Sequence, residues 1–328
     1  MHGYAAGVRL LLIAVAVTLS AQAAAQDFVG ARALSLAEAY RATATGNDAI
    51  YFNPAGLVVI PRYSPEFHYQ LNLVDDRHQI DASVVDSKTS KMAAGLGYTF
   101  DGRLQTRRSS QQHTATLALA FPLLDRLLSV GAGVKYVNVS DAFLGNYLNA
   151  LSADVGALSR LPFGLSLAAV GYNLIPIQSA RVPLSAAFAA NLDLGPLSAL
   201  LFGGTPSFGA TANAAGMPSM SSLGELMGPL SGLTLEVDWY VNLLTLYGAQ
   251  SRISTGLEYL LFESVPVRLG YLWQEQDPTE GAHEHLVSVG AGFIVPYFGI
   301  DVAYQQSVVP DDLEQRVFSC SLKFFLSP

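Results

Sequence analysis

The sequence predicts an all-β fold, a transmembrane antiparallel β-barrel of about 14 strands with an N-terminal plug, or hatch. Three observations support this prediction. Long segments alternate strictly between apolar and polar residues, and an export signal precedes them. The chain is also 51% hydrophobic and only 13% charged, yet after that signal it holds no apolar run long enough for a membrane-spanning helix. Such a chain has to bury a very large core or present an apolar outer face to lipid.

Residues 1–25 have the features of a cleaved signal peptide. Arg9 supplies the positive charge, Leu10 to Leu19 form the apolar segment, and the small residues from Ala21 to Ala25 suit cleavage. An uncleaved N-terminal anchor is the alternative. It is disfavoured because the apolar segment has ten residues, whereas a spanning helix needs roughly 20.

The predicted organisation is a signal peptide over residues 1–25, a plug over 26–62 and a barrel over 63–328. We expect export to a bacterial outer membrane, where the barrel contacts lipid. The net charge of −8 argues against nucleic acid as a partner. Cys320 is the one cysteine of the chain, which excludes a disulfide framework.

The period-two pattern begins just after the plug. Between Glu66 and Leu73, the apolar residues Phe67, Tyr69 and Leu71 alternate with polar ones. Fourteen such segments lie between turn signals, and an even number suits a closed bacterial barrel. The predicted strands are 64–75, 77–87, 90–100, 112–121, 127–139, 148–160, 163–174, 181–194, 231–242, 251–261, 265–275, 283–295, 298–307 and 315–326.

Aromatic residues stand near the ends of several apolar faces, as at Phe100, Tyr136, Tyr259 and Trp273. This pattern is typical of the aromatic girdles at the two lipid interfaces. A soluble sandwich is the alternative, but its strands usually have about five to six residues, fewer than these segments have. The strand length therefore favours the membrane barrel.

The stretch 195–232 does not fit the strand pattern. It is rich in Gly, Ser, Ala, Pro and Met, and it joins the eighth and ninth strands on the side where turns should be short. It is a missed strand, a flexible loop, or an insertion with a short helix near 221–230 that docks a partner. The sequence does not decide among these three.

The plug holds the most specific motif of the chain, Gly30 to Leu57. In Asn53-Pro54-Ala55-Gly56, proline pushes the preceding residue to extended geometry, asparagine and glycine tolerate tight turns, and alanine permits close packing. The motif resembles that of the FadL-type outer-membrane transport proteins and their PorV/PorQ-like relatives. Its most specific residues are Gly30, Arg32, Asn47, Asp48, Asn53, Pro54, Ala55 and Gly56.

The resemblance implies a fourteen-stranded barrel whose N-terminal hatch fills the lumen, and passive transport of hydrophobic small molecules, with long-chain fatty acids as the expected class. It also implies that the ligand leaves through a distorted strand in the wall, for which Gly95 and Gly97 are the candidate kink. A PorV-like barrel that serves a secreted-protein partner is the alternative. Neither interpretation requires a cofactor, a metal or an enzymatic activity.

Ten charged residues are predicted to face the lumen, and they carry both signs. One interpretation is that they pair with one another and with the plug. The other is that a minority contact a permeant. The candidates for such contacts are Lys135, Glu236, Asp238, Arg252, Glu258 and Arg268, and the remaining four are Asp154, Asp301, Arg316 and Lys323.

Catalysis finds little support in the sequence. The histidines after the signal peptide stand at no recognisable spacing from a nucleophile and an acid. His283 and His285 could bind a metal from one strand face, but two ligands do not define a site, so a solvated loop is the better interpretation.

Overall fold

A computed structural model describes residues 29–103, 111–124, 127–141, 145–175, 182–195, 232–243, 249–277, 282–308 and 315–326. Its fourteen strands form one closed barrel. They are β1 (Tyr63–Asn72), β2 (Arg77–Asp86), β3 (Ala93–Gly102), β4 (Gln111–Leu123), β5 (Leu128–Asp141), β6 (Gly145–Arg160), β7 (Leu165–Tyr172), β8 (Ser185–Asp193), β9 (Leu233–Asn242), β10 (Gln250–Leu261), β11 (Val265–Asp277), β12 (Ala282–Ile294), β13 (Phe298–Ser307) and β14 (Arg316–Phe324).

Each strand pairs antiparallel with its sequence neighbours, and β1 pairs with β14 to close the wall, with Glu66 opposite Lys323. We call the end where β1 begins and β14 ends the terminal end, and the opposite end the loop end. Because successive strands alternate in direction, all odd-to-even connections lie at the loop end. Closure gives every strand a hydrogen-bonded neighbour on both sides, as a sheet in lipid requires.

The fourteen predicted strands all correspond to observed ones. The largest losses of length are at β7 and β8, predicted as 163–174 and 181–194 and observed to be shorter, and β3 is displaced from the predicted 90–100. A 3₁₀ turn at Pro162–Gly164 delays β7, and Asn173 adopts a positive φ of 56° that ends it. The predicted signal peptide and almost all of segment 195–232 lie outside the described residues.

The outer face of the wall is apolar on every strand. Large apolar side chains that should be buried in a soluble protein are exposed there. One example from each strand, in order, is Phe67, Ile80, Leu96, Leu117, Val134, Leu151, Leu167, Phe188, Trp239, Ile253, Leu269, Val289, Val302 and Phe318. Exposure of this extent on every outer face is the property of a barrel whose solvent is lipid.

Aromatic residues border this band at both ends. At the loop end they include Tyr98, Tyr136, Trp239 and Tyr271, and the terminal end has Tyr63, Phe121, Phe293 and Tyr297. Their positions match the girdles expected at the two lipid interfaces. Three of the aromatic strand ends named from the sequence, Phe100, Tyr136 and Trp273, lie at the loop end, where Trp273 stacks beside His283.

The hatch precedes β1 and lies inside the barrel. It consists of helix α1 (Ala31–Ser35), a 3₁₀ turn (Gly46–Asp48), helix α2 (Ala49–Phe52) and a second 3₁₀ turn (Pro54–Val58). Its apolar side chains form the main core together with inward residues of the wall, among them Val85, Ala118 and Ala303. Within the described residues, no helix has the length and apolarity to cross a membrane.

If the outer apolar band contacts lipid, a charge at Leu96 should destabilise the barrel, because this residue is exposed near the middle of β3. Leu96→Arg should destabilise the barrel by about 2–4 kcal/mol, whereas Met92→Arg, just before the strand, should cost only about 0–1 kcal/mol. Urea titrations of both variants folded in lipid vesicles will measure the two losses. Equal losses would contradict the assignment of the midplane.

Candidate functional site

The hatch motif folds through its own hydrogen bonds. Asn53 is extended, at φ −160° and ψ 100°, as expected before proline, and its Oδ1 accepts from the backbone N–H of Ala55 at 3.1 Å. Its Nδ2 donates to the carbonyls of Arg41 at 3.1 Å and of Ala157 on β6 at 3.4 Å. One side chain thereby shapes the 3₁₀ turn, ties it to an earlier part of the hatch and fastens it to the wall.

Glycines of the wall make room for the hatch. A Cβ at Gly131 would overlap the backbone of Pro54 and Ala55, and one at Gly270 would overlap Leu36 and Ala37. Similar close contacts exist on four other strands, where an added Cβ would lie 3.0 Å or less from hatch side chains. These are Gly95 against Ile50, Gly97 against Tyr51, Gly156 against Asn53, Gly256 against Leu36 and Gly290 against Ser35. The hatch is therefore in close contact with the wall on most sides.

Two carboxylates of β9 bind the backbone of the hatch directly. Asp238 Oδ2 accepts from the N–H groups of Tyr40 and Arg41 at 3.2 and 3.1 Å. Glu236 Oε1 accepts from those of Ala42 and Thr43 at 2.7 and 3.2 Å, and the Thr43 hydroxyl donates to Oε2. Four consecutive N–H groups of irregular backbone are satisfied by two adjacent inward side chains.

Arg41 reinforces the same contact. Its guanidinium pairs with Asp238 at 2.9 Å, and both side chains are almost fully buried. Its Nε donates to the hydroxyl of Tyr172 on β7 at 2.8 Å, and that hydroxyl donates in turn to the carbonyl of Phe52. We call this group of contacts, made by residues 40–43 with Glu236, Asp238 and Tyr172, the β9 lock.

A chain of alternating charges forms a second lock. Arg32 of α1 binds Glu258 through two bonds of 2.8 and 3.1 Å, and Glu258 also pairs with Arg268. From Arg268 the chain continues to Asp301 at 2.6 Å. Lys323 links Asp301 back to Asp48 of the hatch, at 3.4 Å to each. We call it the charge-relay lock, since it starts and ends on the hatch. Each buried charge in it has an opposite neighbour, as burial demands.

The structure places all eight residues of the predicted plug motif in the hatch. Five of the six candidate lumen residues hold the hatch. Glu236, Asp238 and Glu258 bind it as described, Arg252 pairs with Glu38 at 2.6 Å, and Arg268 acts through Glu258. Lys135 instead pairs with Asp154 at 3.1 Å, and both are buried. The pairing interpretation of these charges therefore describes the lumen better than direct contact with a permeant.

Two expectations from the sequence need correction or restatement. Arg316 was expected in the lumen but is exposed, because it shares the parity of outward-facing Phe318 while its neighbour Val317 is buried. At Gly95 and Gly97, pairing with β2 and β4 continues in a constant register. These glycines admit Ile50 and Tyr51 and do not interrupt the ladder. The sequence analysis did not identify that these two glycines make room for hatch side chains. Their inward position on a strand with one apolar face is the signal that indicates it.

A polar cleft remains on the opposite side of the lumen, between α2 and the wall. Its floor is formed by Ile50 and Tyr51, and its sides come from inward residues of β2 to β6: Gln79, Thr99, Asp101, Gln112, Thr114, Thr116, Lys135 and Asp154. Its empty space is about 420 Å³, including the part open to the lumen. The row of Gln79, Asp101 and Gln112 lies near the loop end, so the cleft faces that end.

Tyr51 fixes the floor of this cleft. Its hydroxyl donates to Asp81 Oδ2 at 2.5 Å, and Thr99 donates to the same oxygen at 2.9 Å. Burial, and then the neighbouring Asp81 carboxylate, raise the pKa of Tyr51 well above its ordinary value. The tyrosine therefore stays protonated and keeps its role as a donor.

The histidines do not assemble catalytic or metal chemistry in the described part of the chain. His68 Nε2 lies 2.6 Å from Ser319 Oγ, but both residues are buried, which leaves a substrate no access to the pair. His283 and His285 lie on the outer face beside Trp273 and Tyr271. No group of three or more potential His, Cys, Asp or Glu ligands is found among the described residues.

Comparison with known proteins gives matches of structure only. No protein-family model matches the chain, and neither does any curated protein sequence. Among solved structures, the CymD monoaromatic hydrocarbon channel is 12% identical with a TM-score of 0.59, covering 92% of this chain and 98% of that one. The corresponding values are 14%, 0.58, 91% and 98% for a FadL homologue of Pseudomonas aeruginosa. They are 12%, 0.60, 92% and 98% for the toluene transporter TodX of Pseudomonas putida. This chain has the FadL-type fold.

In this FadL-type barrel, the two locks act on different parts of the hatch. The β9 lock holds residues 40–43, and the charge-relay lock holds α1 and Asp48. The cleft side is held by uncharged contacts, such as the bonds from Asn47 Nδ2 to Ser64 O and Ser83 Oγ, both at 3.0 Å. The described contacts thus attach the hatch through ion pairs on one side and mainly through hydrogen bonds on the other.

The β9 lock makes a prediction about Asp238. Asp238→Ala leaves Arg41 buried without its carboxylate, so docking of the hatch should weaken by about 3–5 kcal/mol. Limited proteolysis of the detergent-purified barrel should then cut the hatch while the wall stays intact. The control is Asp101→Ala, which removes a partly exposed pair with Arg77 and should cost about 0–1 kcal/mol. Equal protease resistance of the wild type and Asp238→Ala would refute the lock.

The glycines of the wall provide a matched pair of variants on β5. In Gly131→Ala the new methyl group meets the backbone of the hatch, whereas in Gly133→Ala its nearest neighbours are 3.7 Å away or more. We expect Gly131→Ala to lower the free energy of unfolding by about 1–3 kcal/mol and Gly133→Ala to leave it nearly unchanged. Denaturant titration in detergent measures both, and similar losses would mean that the hatch does not press on Gly131.

Proposed function

We propose that this protein is a passive outer-membrane channel for hydrophobic small molecules, in which the hatch controls passage. The observation that carries the proposal is the hatch itself, because a segment locked in the lumen by buried charges closes the barrel to a wide water path. The printed names of the structural matches add support: one is a monoaromatic hydrocarbon channel and another a toluene transporter.

The proposed path starts at the loop end and uses the polar cleft as its first station inside the barrel. The permeant then has to displace part of the hatch, since the hatch fills the space between the cleft and the terminal end. No chemical step is required, and the role is non-enzymatic. Long-chain fatty acids, the class implied by the FadL-type motif, and small aromatic hydrocarbons are the first permeants to test.

Location in the bacterial outer membrane is part of the proposal. The apolar outer band and its aromatic borders fit a bilayer, and the signal peptide predicted over residues 1–25 would provide export. The secreted-protein partner of the PorV-like alternative depends on segment 195–232, almost all of which lies outside the described residues. No described contact therefore favours that alternative over transport.

Uptake measurements test the transport proposal. Deletion of the gene in the bacterium of origin should reduce uptake of labelled oleate or toluene several-fold, and the wild-type gene should restore it. Labelled glucose, which needs no hydrophobic route, is the control and should be unaffected. The proposal fails when the deletion strain takes up both oleate and toluene at the wild-type rate.

A further inference from the structure

The side chains that line the polar cleft indicate which class of permeant it would bind. Its walls consist mainly of amide and hydroxyl side chains and not of the apolar ones that a pure hydrocarbon would favour. We propose that the cleft binds neutral molecules that combine a hydrocarbon body with a hydrogen-bond donor, such as phenols and alcohols, in preference to carboxylates and to unsubstituted hydrocarbons. This inference rests on the proposed transport function and names the substrate class of its first station.

The first argument is hydrogen bonding. Gln79 is 7% exposed and lines the cleft, and its Oε1 has no hydrogen-bond partner. Asp81 Oδ1, beside the floor tyrosine, also lacks one. A buried acceptor without a partner is costly, and a donor brought by a ligand removes that cost. The Oε1 atom of Gln79 is an amide oxygen, which can only accept, so the group that satisfies it has to donate.

The second argument is charge. Three carboxylates lie in or beside the cleft: Asp81, Asp101 and Asp154. The two cations in the same region are already paired, Arg77 with Asp101 at 2.5 Å and Lys135 with Asp154 at 3.1 Å. Among the described residues, an incoming carboxylate would therefore meet more negative than available positive charge. It would also lose its hydration, which makes its binding unfavourable.

The third argument is shape. Ile50, the ring of Tyr51 and the methyl groups of three threonines provide apolar contact next to the acceptors. The cleft is partly open to the lumen, so a substituted ring can extend beyond it while one end enters. A hydrocarbon body can thus rest on the hatch while its donor group reaches Gln79.

Three matched probes test the inference: toluene, 4-methylphenol and 4-methylbenzoate at pH 7. Calorimetric titration of the full-length barrel in detergent should show 4-methylphenol binding roughly 5-fold or more tighter than toluene, the effect of one neutral hydrogen bond. The benzoate should bind more weakly than the phenol. Equal binding of phenol and toluene, or tighter binding of the benzoate, overturns the inference.

A pair of variants locates the effect. Gln79→Met removes the acceptor and should abolish the preference for 4-methylphenol over toluene, while an unchanged thermal unfolding temperature reports an intact fold. Gln305→Met alters another buried inward glutamine, which binds Ser288 on the opposite wall, and should leave the preference unchanged. A preference that survives Gln79→Met overturns the assignment of this residue.

Failure of the inference is distinguishable from failure of the transport proposal. If none of the three probes binds while oleate uptake still depends on the barrel, the inference is wrong and the transport function stands. If the probes bind in the expected order while uptake of oleate and toluene does not depend on the barrel, the cleft is a binding site and the transport function is wrong.

Discussion

The structure depends on one constraint: irregular backbone inside a barrel has to find hydrogen-bond partners without bulk water. The hatch between α1 and α2 has no helix or strand over residues 40–43, and of these four N–H groups only that of Thr43 has a backbone acceptor, the carbonyl of Tyr40. Glu236 and Asp238 of β9 accept from all four. Charged side chains are costly where a strand faces lipid. Glu236 and Asp238 face the lumen instead, where they bind the backbone of the hatch.

The same constraint explains the two-sided composition of the strands. Outward residues are large and apolar because they contact lipid, while inward residues are either small, to admit the hatch, or polar, to bind it. Gly131 on β5 is an example of a small inward residue that admits the hatch, and Glu236 on β9 is an example of a polar one that binds it. The low charged fraction of the chain, 13%, follows, because charges are useful only on the inner face.

The fold was largely predictable because a strand in a membrane wall has a strong period of two and a length set by the bilayer. All fourteen strands could be placed for that reason, although β7 and β8 were predicted too long. The positive φ values of Phe163 and Asn173, which flank β7, explain why that strand is shorter. The motif from Gly30 to Leu57 predicted a hatch. Which charges bind it was not predictable, since the pair Arg32 and Glu258 is separated by 226 residues and depends on the three-dimensional register.

The two sides of the hatch differ in how firmly they are held. On the side of β9 to β14, release would expose several buried charges, and breaking even one such pair costs about 3–5 kcal/mol. On the cleft side, the contacts of Asn47 and of Tyr51 with Asp81 are hydrogen bonds, each worth on the order of 1–3 kcal/mol. A hatch that yields to a permeant therefore yields first on the side of β2 to β6, where the cleft lies beside Ile50 and Tyr51. The ion pairs then act as the fixed attachment about which the remaining part of the hatch moves.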